Sequence, residues 1–192
     1  MKKIAKIIRI ITIPPFSAML LNIIIYFTFP NSFNNIWELL LIILVTGLIP
    51  VLAYPYQALF HPIKNMDERD ASRKLSIIFS IVSYSIGFLI SLIFDFTYIQ
   101  TLVYYTYFFS GVFMGLFNFI LHIKASGHLC GISGPVAVLI YSLGVHYLFL
   151  IGIVLLVVWS SIYLKRHKYP EIITGTLIPI VSMFLSMGII LL

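Results

Sequence analysis

Every lysine and arginine of this chain falls in one of four short stretches, and long apolar runs separate those stretches. Lys2, Lys3, Lys6 and Arg9 form the first, and Lys64, Arg69, Arg73 and Lys74 the second. Lys124 stands alone, and Lys165, Arg166 and Lys168 form the last. Hydrocarbon offers the backbone no hydrogen-bond partner, so apolar runs of about 20 residues point to transmembrane helices. Runs at 13–29, 36–60, 75–94, 98–121, 131–143, 147–164 and 172–192 are candidate spans. The first opens on Pro14-Pro15 and reads either as a re-entrant segment or as a kinked continuation of a helix from Ile4. The fifth is short, and Pro135 suits a first-turn position, so its helix is open to beginning nearer His128.

Composition agrees. The 192 residues are 61% hydrophobic and 9% charged, where ordinary globular domains are about 25% charged. Mean hydropathy is +1.09. The expectation is an all-α, polytopic transmembrane bundle of six to seven spans, one integral membrane domain over 1–192 with a basic amphipathic segment at 1–12 and its site at one membrane face. No small-residue cleavage site follows Tyr26, so a cleaved signal peptide is not expected. The single cysteine, Cys130, allows no intrachain disulfide.

If every run crosses, all twelve cations share one face. The connections at 30–35, 95–97 and 144–146 carry none. In a membrane protein the net charge of +6 speaks for lipid head groups and positive-inside sorting, not nucleic acid. The cationic face is predicted to be cytoplasmic and the location the cell membrane. The stretch from Lys2 to Ile11 alternates cations with isoleucines and reads as a membrane-surface helix or the cytoplasmic end of the first span. Trp37, Tyr54, Tyr56 and Trp159 suit interfacial positions, and the aromatic run from Tyr104 to Phe109 suits core packing or, as the alternative, contact with a lipid chain.

Three polar segments on that face are richer than loops need to be. In the first, Arg69 and Arg73 are four apart and share a helix face, which suits a phosphate clamp with Lys64 nearby. Asp67, Glu68 and Asp70 would equally make this a neutralised, solvated loop. The second, Lys124-Ala125-Ser126-Gly127-His128, leads into a helix whose start offers free N–H groups. Gly127 permits close backbone approach, Ser126 adds a hydroxyl and His128 a proton donor. The plain alternative is a tight turn with an interfacial histidine. In the third, Pro170 fits the first position of the last helix and Glu171 its first turn. There Glu171 would hold one nitrogen of His167 and leave the other to attack phosphorus; a basic turn with a helix-start carboxylate is the simpler reading. Together the segments supply a nucleophile, an acid, an orienting carboxylate and a clamp. A zinc set of His122, His128 and Cys130 matches no standard spacing.

At these residues the chain resembles the type 2 phosphatidic acid phosphatase family, the membrane branch of the acid phosphatase and vanadium haloperoxidase superfamily, over about residues 64–185. Ser126-Gly127-His128 at a helix start is similar to the central family motif, and Ser160-Ser161, five residues, His167, three residues and Glu171 to the C-terminal one. The chain departs from the family in Ser161, where the family has arginine, in Glu171 for aspartate, and in a first motif without its Arg-Pro ending. The resemblance implies a two-step hydrolysis of a lipid phosphate or polyprenyl diphosphate held in the bilayer. His167 is then the nucleophile, Glu171 orients it, and His128 is the acid and later the base. Lys64, Arg69, Arg73, Lys124, Ser126, Gly127 and Arg166 bind the phosphate, and no metal or cofactor is needed. Arg166 or Lys165 would stand in for the guanidinium that Ser161 lacks. Two other readings compete: a catalytically silent relative that binds head groups or a membrane partner, and a small transporter. The scarcity of ionisable groups within the spans places the transporter last.

Overall fold

The computed structural model describes the backbone of residues 1–60 and 66–192, with side chains described outside 61–69. Lys64 and the Arg69 side chain therefore lie outside the described residues. Among the described residues the chain is helical, with no strand. The helices are α1 (Lys2–Ile11), α2 (Pro14–Thr28), α3 (Ile36–Ile43), α4 (Ile49–Val51), α5 (Ala53–Phe60), α6 (Met66–Ile93), α7 (Tyr98–Gly115), α8 (Gly127–Leu143), α9 (Ile151–Tyr163) and α10 (Tyr169–Ile190).

Among the described residues five stretches are long and apolar enough to cross a membrane: Ile36–Phe60, Asp70–Ile93, Tyr98–Ile120, Val145–Tyr163 and Tyr169–Ile190. The protein is an integral membrane protein with an all-α, polytopic bundle. The first candidate run takes the kinked form. Helix α1 meets α2 at 54°, because Pro14 and Pro15 have no N–H to continue α1 and instead occupy the first turn of α2. Helix α8 is shorter, at 17 residues, and starts four residues before the apolar run it was read from. Ser126 caps it by accepting from the Leu129 N–H, and Gly144, at φ 91°, ends it.

The far ends are tied by polar pairs. Thr97 and Gln100 form a capping box at the start of α7. The Gln100 side chain also donates to Glu38 at 2.9 Å, which accounts for a carboxylate near a span end. Tyr104, Leu21, Ile25 and Ile42 are fully buried between the helices. Phe88 stacks on Phe108 at 4.2 Å, so the aromatic run packs helices together as its composition suggests. Leu44, Leu48, Leu155, Leu177 and Phe184 face outward, as lipid-facing side chains do. Helix α10 packs against α7 and α8, α2 against α8, α6 against α7, and α1 against α9. This places the beginnings of α8 and α10, and the C-terminal end of α1, around one end of the bundle.

Candidate functional site

A cavity of about 860 Å³ opens at that end and runs inward between α6, α7, α8 and α10. Arg9, Arg73, Lys124, His128, His167 and Glu171 line it, with Gly127 and Arg166 beside them. The described parts of the three polar segments thus line one cavity.

The closest relationship is within the third segment. His167 Nδ1 lies 2.8 Å from Glu171 Oε2, and the same carboxylate oxygen accepts the Lys168 N–H at 3.3 Å. Both side chains are mostly buried, at 11% and 18% exposure. A carboxylate can only accept, so the neutral ring carries its proton on Nδ1 and presents a lone pair on Nε2. Burial lowers the pKa of His167 from its ordinary value, Glu171 pulls it back up, and Arg9 and Arg73 push it down.

His128 stands in the first turn of α8, where the N–H groups of Gly127 and His128 precede the intrahelical ladder. Its Nε2 lies 2.9 Å from Thr12 Oγ1. The Thr12 hydroxyl has one proton and gives it to the Ile8 carbonyl at 2.6 Å. Toward His128 it is therefore the acceptor, which puts a proton on Nε2.

Arg73 donates from Nη2 to Asn118 Oδ1 at 2.7 Å. Asn118 sits in the π-helical turn Leu116–Ile120 that ends the α7 span, a distortion often found at functional positions. Among the described residues Arg73 Nε is buried with no hydrogen-bond partner, and Arg73 lines the cavity. A buried guanidinium donor left unsatisfied by the protein is costly unless a ligand accepts from it.

Other residues read from the sequence are placed differently. Ser126 is fully buried, its Oγ engaged as the α8 cap, so its hydroxyl serves the fold and does not line the cavity. Lys124 reaches the rim but pairs with Asp70 at 2.5 Å, both about half exposed. Lys165 and Arg166 line the rim, yet the partner of the Ser161 hydroxyl comes from elsewhere. Arg9 Nη1 donates to Ser161 Oγ at 2.8 Å, across 152 residues of sequence. The basic N-terminal stretch is therefore more than a surface helix, since its last turn enters the site.

Arg9, Thr12 and Asn118 are contributors that the motifs do not single out. The signal for the first two lies in spacing: residues 5, 8, 9 and 12 share one helix face. Ala5 on that face is fully buried, and Ile8 packs against the core cluster that includes Leu129, Val157 and Ile172. No protein-family model, curated protein or solved structure matches the chain.

Proposed function

We propose that the protein is a membrane-embedded phosphatase of lipid phosphates or polyprenyl diphosphates that works through a phosphohistidine, without a metal, in the manner of the type 2 phosphatidic acid phosphatases. The observation that carries this reading is His167, held through Nδ1 by Glu171 at 2.8 Å, in one cavity with His128 and Arg73.

The chemistry follows from the donors. A phosphate dianion settles among the guanidiniums and the first amides of α8. His167 Nε2 attacks phosphorus, forming an N–P bond while the bond from phosphorus to the leaving oxygen breaks. His128, protonated beside the dianion, passes the proton of its other ring nitrogen, Nδ1, to that oxygen and becomes neutral, its Nε2–H still on Thr12. It then takes a proton from a water whose oxygen attacks phosphorus and breaks the N–P bond, releasing inorganic phosphate. Fixed cations stabilise charge on the equatorial oxygens in both steps.

The substrate's apolar chain would lie in the bilayer with its phosphate at the mouth of the cavity. The cation distribution supports a cytoplasmic site in the cell membrane. The test is phosphate release from phosphatidate, lysophosphatidate and prenyl diphosphates by the detergent-purified protein with EDTA present. Release that persists in EDTA and disappears in His167→Ala and His128→Ala is the expected result. Release undiminished in His167→Ala excludes the proposed nucleophile.

A further inference from the structure

Helix α1 brings two side chains to the cavity. Thr12 orients His128, and Arg9 reaches Ser161. Ser161 is fully buried and small. It leaves room at the end of α9 for a guanidinium arriving from another helix, and its hydroxyl accepts one of that guanidinium's five N–H bonds. Arg9 lines the same cavity as His128, His167 and Arg73. Its charge acts on His167, so the guanidinium stands within electrostatic reach of the proposed nucleophile. The docking of α1 is specific on its inner face, through Ala5 and Ile8, while Ile4, Ile7, Ile10 and Ile11 face outward.

We infer that Arg9 is a phosphate-binding catalytic residue, that its guanidinium grips the non-bridging oxygens of the phosphoryl group on its way to and from His167, and that Ser161 is the positioning residue that aims it. This rests on the phosphatase reading above. The N-terminal helix is then part of the active site, and the guanidinium absent from position 161 is supplied from position 9. Arg9 and Arg73 approach from α1 and α6, so two guanidiniums from different helices can share the equatorial oxygens.

The experiment uses the full chain in detergent, with phosphatidate as substrate and orthovanadate as a transition-state probe. The variants are Arg9→Ala, Arg9→Lys, the double variant Arg9→Ala with Ser161→Arg, and Lys6→Ala as a control on the same helix. Arg9→Ala is expected to lower kcat/KM about 10²- to 10³-fold, the usual cost of losing one transition-state donor. It should also weaken orthovanadate binding at least about tenfold, and raise the pH at which the acid limb falls, because a cation near His167 is gone. Arg9→Lys keeps the charge but not the fork, and should recover only part of the rate. The double variant, with its guanidinium returned from α9, should recover about tenfold or more over Arg9→Ala. Lys6→Ala should stay near wild type.

Near-wild-type rate and orthovanadate affinity in Arg9→Ala, with His167→Ala inactive, overturns the role of Arg9 and leaves the phosphatase reading standing. A slow Arg9→Ala with an unmoved pH limb and no rescue by Ser161→Arg reduces Arg9 to a structural contact. If Arg9→Ala does not fold, undiminished rate and orthovanadate affinity in Arg9→Lys overturn the proposal. If His167→Ala keeps full activity, the phosphohistidine reading itself fails. Orthovanadate affinity then still decides whether Arg9 binds anions.

Discussion

The backbone N–H of Ser126 donates to the carbonyl oxygen of Glu171 at 2.9 Å. That single bond joins the residue that caps α8 to the residue that orients His167, and so sets the two histidines relative to one another. Two distant motifs meet because the backbones of α8 and α10 can come this close.

Gly175 makes the approach possible. A Cβ there would stand 2.5 Å from the Ser126 carbonyl oxygen and 2.8 Å from its nitrogen, and neither backbone atom can swing aside. Gly175→Ala is expected to destabilise the fold by about 1–3 kcal/mol, the typical cost of overpacking. It should lower kcat by more than that loss of stability explains, because the displaced segment carries His128. Thermal unfolding in detergent and phosphate-release kinetics on the same preparation check both parts.

Glu171 sets the tautomer of His167. Glu171→Gln can present an amide N–H where the carboxylate accepts, which favours the wrong ring nitrogen. A fall in kcat of roughly 10²- to 10⁴-fold is expected, by analogy with other orienting carboxylates. Glu171→Asp, one methylene shorter, should retain more. Little change in Glu171→Gln would mean that the carboxylate serves only to start α10.

The pH profile separates the same influences. The groups acting on His167 are Glu171, Arg9 and Arg73, with His128 across the cavity and Lys165, Arg166 and Lys168 at the rim. Burial, the largest influence, lowers its pKa from 6.5, and the nucleophile is the neutral ring. The acid limb of kcat/KM should therefore lie below the pH of an ordinary histidine. Glu171 raises the His167 pKa, so Glu171→Gln should move the limb still lower even as the rate drops. A limb that rises in this variant contradicts the assignment.

Arg73 is expected to act mainly on the phosphate. Arg73→Lys keeps a charge but loses both the Asn118 contact and the buried Nε donor. A fall in kcat/KM of about tenfold or more is expected, in line with the loss of a charge-assisted hydrogen bond of about 1.5–3 kcal/mol. Steady-state kinetics with orthovanadate inhibition would show whether the loss follows phosphate affinity.

Sidedness is tested by labelling. With Cys130 replaced by serine, cysteines placed at Asn34 and at Lys168 mark opposite ends of the bundle, and both positions are exposed. An impermeant thiol reagent on intact cells should label position 34 and spare position 168. The reverse pattern inverts the orientation.

Much of this architecture was legible because lipid imposes simple rules. Apolar runs gave the spans, and Pro14-Pro15 and Pro170 marked helix starts by chemistry that is local in sequence. The pairing of His167 with Glu171 was legible for the same reason, since only four positions separate them at the start of α10. A serine before a helix has two uses, and only the folded structure shows that the buried Ser126 Oγ accepts from the Leu129 N–H. Arg9 was not legible as a site residue. A basic amphipathic helix has a sufficient explanation at the membrane surface, and its contact with Ser161 spans 152 positions that no local pattern encodes. Asn118 was hidden likewise inside an apolar run, where its partnership with Arg73 needs the packing of α6 on α7.

The most direct measurement is to quench the protein during turnover of ³²P-labelled phosphatidate, with EDTA present, and to map the labelled residue. Acid-labile, alkali-stable phosphate on His167, absent in His167→Ala and accumulating in His128→Ala when a good leaving group is used, is the predicted result. Turnover that proceeds with no phosphohistidine, or with the label on another residue, would contradict it.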